Sequence, residues 1–321
     1  MRWVKVLAPV FFPEPEGFSL DFHPIPFRGD SAALDRHYLP LQGKAGPSVL
    51  TFFALEQKSR CLCYANANLT RADQHGELMR FVEFWRKVTG SAPKWLYFDS
   101  KVVDYRELSR LNQSAIHFVT IRRRRAAIVR RLKGHPTSAW KKAVIDIPKR
   151  CHTQISYIEE SVQLRGYEGP IRQVAVTGLG RDRPTLFLSN HFEETPRELI
   201  IRYAGRNRIE GGLGVSVNFF HLDCLASEVR LNVDLDAALT VIGNSCYRWL
   251  ASRLSGFERA DPKQLYRRFI ETAGTVTTQN DRLTVQLDRQ SHNPILREAA
   301  LDRDPTPIPW LDHRTIEFTY R

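Results

Sequence analysis

The chain has 321 residues, 42% hydrophobic and 26% charged, which supports one or two folded domains whose core needs no disulfide or metal staple. Lys and Arg number 47 against 35 for Asp and Glu, a net charge of +12 that calls for an acidic partner. No apolar run approaches the roughly 18 residues of a membrane-spanning helix, which excludes that class.

The first twelve residues imitate a signal peptide. Lys5 interrupts their apolar part, however, and Pro13-Glu-Pro-Glu16 stands where small residues should mark cleavage. From Gly17 the chain reads as a strand ending near Asp21, because Pro24 and Pro26 make the continuation an edge strand or a turn. Residues 48–55 and 61–69 read as two more strands flanking a polar hairpin connection at 56–60. Residues 73–88 have helical spacing, with Leu78, Phe81, Val82 and Trp85 on one face. Pro93 breaks the chain, and Trp95–Phe98 forms a short buried strand ending at Asp99. A helix around Val103–Leu111 and a strand at His117–Ile121 follow. This β-β-β-α-β-α-β order implies an α/β fold with a mixed sheet flanked by helices.

The texture changes at Arg122. From there to Arg150 eleven basic residues face one acid, Asp146, a net +10; the remaining 36 basic and 34 acidic residues leave +2 elsewhere. Residues 151–190 show short alternating runs punctuated by Gly166, Gly169, Gly178 and Gly180, which reads as a small inserted antiparallel β subdomain. Thr195-Pro196-Arg-Glu198 is an N-cap signature, and the helix it starts runs towards Glu210. Residues 232–254 and 262–273 read as two further helices, and the Pro-rich segment after Asp281 as irregular. The expected partition is 1–16 an N-terminal extension, 17–121 the first part of the main α/β domain and 122–194 the basic connector and insertion. Residues 195–275 would be the second, helical part, and 276–321 a tail. Five cysteines, odd in number and without a C-x-x-C pair, indicate neither a disulfide framework nor a zinc site and suit a reducing cytoplasm.

Three acids stand out by position. Asp21 and Asp99 end strands, where open α/β sheets gather ligands, and Glu210 lies on a helix after the insertion. Alone, each would be a turn-former or a solvated surface group. Two carboxylates at neighbouring strand ends and one on an adjacent helix can converge, and clustered carboxylates repel unless cations sit between them. Mg²⁺ or Mn²⁺ prefers such hard oxygen ligands, and two ions about 4 Å apart can activate a nucleophile and stabilise a leaving oxygen of a phosphodiester. Tyr203, Arg206 and Glu210 fall at i, i+3 and i+7, one helix face carrying a hydroxyl, a guanidinium and a carboxylate. There Arg206 could hold a phosphate. His23 stands two residues after the first acid, and Asp223 is a further acid in the same region. Arg122, Arg123, Arg124, Arg125, Arg130, Arg131, Lys133, Lys141 and Lys142 suit phosphate-backbone contacts, which supply affinity and not sequence reading. No Gly-rich nucleotide loop is present.

Segments carrying these residues occur in order: Leu20–Gly29, Phe98–Asn112, His117–Arg124, Ile171–Gly178, Tyr203–Glu210 and Asn218–Ser227. Their sequence resembles the DDE-type transposases of bacterial insertion sequences, in the group whose RNase H-like catalytic domain is interrupted by a β-rich insertion. The resemblance spans roughly residues 17–255, with 78 residues from Asp21 to Asp99 and 111 from Asp99 to Glu210, the longer gap leaving room for an insertion. It implies that Asp21, Asp99 and Glu210 are the catalytic and metal-holding triad and that two Mg²⁺ or Mn²⁺ ions serve it. Tyr203 and Arg206 would touch DNA. The reaction would be strand nicking followed by attack of the freed 3′-hydroxyl on target DNA.

The resemblance also implies partners and place: element-end and target DNA, no membrane, compatibility with a homodimer on DNA, and a bacterial cytoplasm with nucleoid association. Two departures bear on activity. The family's helix lysine would fall at Val217, and Gly211, Gly212 and Gly214 together cost about 3 kcal/mol in a helix against alanine. About sixteen residues precede the first strand, where the family has an end-binding region, so an N-terminally truncated copy is expected. An inactive DNA-binding remnant and a free-standing RNase H-like nuclease are the alternatives.

Overall fold

The computed structural model describes residues 2–27, 34–39, 42–148, 151–224, 229–303 and 307–321. Arg28, Gly29, Lys149, Arg150, Leu225, Ala226, Ser227 and Pro305, named in the segments above, lie outside the described residues. The chain divides into two compact units, Met1–Ile242 and Gly243–Arg321.

The first unit is a mixed α/β structure. Its elements are α1 (Arg2–Phe11), β1 (Phe18–Pro26), β2 (Arg36–Leu39), β3 (Lys44–Glu56), β4 (Leu62–Leu69), α2 (Glu77–Thr89), β5 (Trp95–Phe98), α3 (Tyr105–Gln113) and β6 (His117–Arg122). Then come α4 (Ala126–Lys133), β7 (Lys141–Val144), β8 (Gln154–Gln163), β9 (Pro170–Thr177), β10 (Thr185–Ser189), α5 (Pro196–Ala204) and α6 (Asn207–Asn218). Helix α7 (Arg230–Arg253) follows. The strands form one sheet in the order β2-β3-β1-β5-β6-β10-β9-β8-β7, with β4 also paired to β3.

Helices cover the sheet on two sides, and this is why β3, β5 and β10 read as apolar runs and not as alternations. On one side Phe18, Phe81, Trp85 and Phe12 interlock, with Phe18 and Trp85 ring centroids 4.5 Å apart and Phe12 and Trp85 5.6 Å apart. On the other, Phe53 and Leu55 of β3 pack with Ile209 and Leu213 of α6 and with Val233, Ala237 and Val241 of α7. Glu77, at the start of α2, is fully buried. Its carboxylate accepts hydrogen bonds from Tyr64 Oη at 2.8 Å and Asn66 Nδ2 at 2.9 Å.

Three sequence expectations change. Strand β1 does not end near Asp21; it continues through both prolines to Pro26, paired with β3 throughout but with β5 only as far as Leu20. Beyond Leu20 one edge is open, where a proline lacking its N–H removes no ladder bond. The strands after the basic segment are antiparallel as expected but form no separate subdomain. β10 pairs with β6, so β10, β9, β8 and β7 extend the main sheet, with Ile171–Val176 and Leu186–Ser189 buried. The segment after Asp281 is not irregular. The second unit pairs β11 (Gly274–Gln279), β12 (Arg282–Leu287) and β13 (Thr315–Tyr320) in a three-stranded sheet, with a short α8 (Pro262–Leu265) and α9 (Asn293–Ala299). Its core holds Leu254, Leu265, Phe269, Leu287 and Leu296. The prolines between α9 and β13 hid that last strand from a pattern reading.

Trp85 is fully enclosed by aromatic neighbours, so Trp85→Ala should cost about 3–5 kcal/mol of unfolding free energy, measured by chemical denaturation. A loss below about 1 kcal/mol would mean that this cluster does not hold α2 to the sheet.

Candidate active site

Register places the first two acids. β1 and β5 run parallel with Leu20 opposite Phe98, so Asp21 and Asp99 are the next residues on neighbouring strands, about one strand spacing of 4.8 Å apart. Asp21 Oδ1 accepts from Phe22 N at 2.9 Å. Asp99 Oδ1 accepts from Lys101 N at 2.7 Å, and Thr120 Oγ1 donates to Phe98 O at 2.8 Å, which ties the end of β5 to β6.

The third acid arrives by another route. Thr195 caps α5 with a reciprocal capping box to Glu198, as its sequence foretells. The expected single helix to Glu210 is two. α5 ends at Ala204, and α6 starts at Asn207 across Gly205 and Arg206. Both junction residues keep right-handed helical torsions, so Tyr203, Arg206 and Glu210 remain together. The glycines after Glu210 do not end α6, because packing holds it. A Cβ on Gly212 would lie 2.9 Å from Leu55 Cδ1, and the bare glycine lets the helix close on β3. Val217 packs against the core beside α7.

Arg206 joins the acids. Its Nη1 lies 3.1 Å from Asp21 Oδ2 and its Nη2 2.7 Å from Glu210 Oε1. The side chains of Arg206 and Asp21 are only 10% and 15% exposed, whereas Glu210 is 57% exposed. Burial pushes the Asp21 carboxyl above the usual carboxylate range; Arg206 opposes that push and the neighbouring Asp99 charge adds to it. Burial works against the Arg206 charge, yet Tyr203, Asp21, Glu210 and Asp99 together hold its proton more tightly than usual. Burial likewise pushes the Tyr203 phenol up to about 12, so it is a hydroxyl donor at neutral pH.

Among the described residues, no three His, Cys, Asp or Glu side chains gather into a ready metal cage. The Asp21–Asp99 pair nonetheless has the donor chemistry a hard divalent cation needs. These are two adjacent carboxylates, one of them buried and resisting ionisation partly because of the other. Glu210 stands on the far side of the Arg206 guanidinium.

The basic candidates separate. Arg122, Arg123 and Arg124 line a cleft of about 710 Å³ with Asp99, Tyr203, Arg206 and Glu210. Arg122 Nη1 donates to Gln173 Oε1 at 2.6 Å. Arg125 is exposed at the start of α4. Arg130, Arg131 and Lys133 lie in the last turn of α4, with Arg131 held by Glu160 through two 2.6 Å bonds. Lys141 and Lys142 are on β7, the outermost strand of the sheet, away from the acids. Sequence reasoning missed Asn207, Arg181 and Arg183, which line the same cleft. The signal for the two arginines was the Gly-Leu-Gly-Arg-Asp-Arg-Pro turn at 178–184.

A second cleft of about 550 Å³ opens on the other side of Asp21 and Glu210. There His23 Nε2 lies 2.7 Å from Asp223 Oδ1.

Removing the Arg206 charge leaves Asp21 buried without its cation. In Arg206→Ala the folded-state pKa of Asp21 rises further above its unfolded value. The penalty is therefore fully present at high pH and vanishes as pH falls below the unfolded value, about 3.9. The expected loss is roughly 3 kcal/mol near pH 7, shrinking towards about pH 4, by denaturant unfolding at both pH values. A loss independent of pH would contradict the buried pairing.

No protein-family model and no curated protein matches the chain. Among solved structures, a piggyBac transposase synaptic complex with hairpin DNA is similar at 12% identity with a TM-score of 0.44, over 72% of this chain. The chain spans about half, 48%, of the length of that transposase.

Proposed function

We propose that the first unit carries out metal-dependent phosphoryl transfer on DNA, as the catalytic part of a transposase with an RNase H-like arrangement. The observation that supports this best is the meeting of Asp21, just past the last residue of β1 paired with β5, and Asp99, just past the end of β5, beside a cleft edged by Arg122, Arg123 and Arg124. Carboxylates next to arginines are what a phosphodiester and its counter-ions together require.

In this reading Asp21 and Asp99 hold Mg²⁺ or Mn²⁺, and Glu210, freed from Arg206, completes the ligand set for a second ion. Held there, the ions would lower the pKa of a water or 3′-hydroxyl nucleophile and stabilise charge on the leaving oxygen. Arg206 turns from the acids to the scissile phosphate, which it can grip bidentately. Tyr203 donates its hydroxyl to a phosphate oxygen, kept protonated by its burial. No side chain serves as a covalent nucleophile, and DNA strands are both substrate and partner. Strand transfer, recognition of element ends and assembly as a homodimer belong to the same proposal.

A second reading, a DNA-binding remnant that does not cut, draws on Glu210. Its carboxylate is largely exposed and spent on Arg206, and Val217 offers no charge where the family has lysine. The two differ in one assay. Metal-dependent nicking of supercoiled DNA should appear with the parent protein and fall about a thousand-fold in Asp99→Asn, the several kcal/mol that one metal-holding carboxylate contributes. Asp104→Asn, at a residue that caps α3 by accepting from Arg106 N at 2.7 Å, should cut like the parent. Equal cutting by Asp99→Asn would overturn the assignment, and no cutting by the parent would leave the remnant.

A further inference from the structure

The open end of the sheet carries an ordered change of charge. β1, β5, β6 and β10 are successive neighbours, with Leu20 opposite Phe98, Phe98 opposite Thr120, and Arg122 opposite Leu186. Just past these positions lie Asp21, then Asp99, then Arg123 and Arg124, then the turn leading from β9 into β10 with Arg181 and Arg183. Acid therefore gives way to base across three strand spacings, about 14 Å.

The turn is firmly placed. Gly178 has φ +85°, and a Cβ there would lie 2.6 Å from Gln154 O of β8. Gly180 has φ +75°, with His152 so close that a Cβ would lie 2.7 Å from its ring. Only glycine allows this close contact with β8 and the chain before it. Among the described residues, no carboxylate is within ion-pair distance of Arg123, Arg124, Arg181 or Arg183, and all four are exposed. Elsewhere the basic side chains are often neutralised, as Arg131 is by Glu160 and Arg202 by Glu194. Arginines left exposed on such a turn can meet an anion that is not part of the chain.

We propose that the cleft binds a single phosphodiester strand, with Arg181 and Arg183 of the β9–β10 turn and Arg123 and Arg124 after β6 gripping successive phosphates. The strand runs along the sheet end so that the next phosphate reaches Asp99. A cleft of about 710 Å³ is the size of a small-molecule site and has room for a few nucleotides of one strand. The polarity of the strip gives the strand a direction of approach, arginines first and acids last. The assignment of Asp99 as the point of arrival rests on the proposed function; the grip by the turn does not.

The test is binding of a short fluorescein-labelled oligothymidylate by anisotropy at salt concentrations from roughly 50 to 200 mM, without divalent metal. The parent should bind, and Arg181→Ala combined with Arg183→Ala should make the slope of log affinity against log salt shallower by about 1.4, two single-strand phosphate contacts. The combined Arg181→Lys and Arg183→Lys protein, which keeps both charges, should restore the parental slope. A parental slope in the double alanine protein would overturn the proposal, as would binding of duplex DNA without binding of oligothymidylate, or no DNA binding at all. Nicking assays on the same preparations separate the two claims. A shallower slope with no nicking by the parent supports the strand cleft and removes the proposed function. Nicking by the parent with no change of slope does the reverse.

Discussion

The parallel register of β1 and β5 forces two carboxylates side by side, and most of the charge placement at that end of the sheet answers to it. Asp21 is buried on a strand that is fixed on both sides up to Leu20. It cannot move away from Asp99, and burial together with that neighbour makes its ionisation costly. A cation has to come to the site. The chain provides one in Arg206, whose own burial is tolerable only because Asp21 and Glu210 accept its hydrogen bonds. The junction between α5 and α6, and the bare Gly212 that lets α6 lie close on β3, keep that guanidinium in reach.

A buried arginine between carboxylates is open to two uses. It is a structural ion pair as it stands, and it is also a positively charged arm beside a cleft of unpaired arginines. On the proposed function, phosphate would compete for it with Asp21, and a metal ion would compete with it for Asp21. Binding of nucleic acid and of a divalent ion at this site would then favour each other, because each removes a partner that holds the other's ligand.

Much of this was legible in the sequence, for identifiable reasons. Asp99 and Glu210 could be singled out because strand ends and helix faces follow from apolar runs and capping signals, whereas Asp21 was reached through a strand end that lies at Pro26, and it adjoins Asp99 through the β1–β5 register instead. Thr195 and Glu198 form the capping box that their spacing announces. The extent of β1 was not legible, since proline reads as a breaker unless one knows that β5 leaves the strand's edge open beyond Leu20. Nor was the union of β7–β10 with the main sheet, because pairing of β10 with β6 joins residues some 65 positions apart, from Ile121 and Arg122 to Leu186 and Phe187, and no local pattern encodes it. The basic segment looked like one surface; folding sends Arg122–Arg124 to the acids and Lys141 and Lys142 to the sheet's outer strand.

The most direct measurement is calorimetric titration of the parent protein with Mn²⁺, in the absence of DNA, beside the Asp21→Asn, Asp99→Asn double variant. Saturable binding by the parent that is lost in the double variant, with its folding intact by circular dichroism, is the expected result. No saturable binding by the parent, or equal affinity in both proteins, would contradict a metal-holding pair where β1 and β5 part.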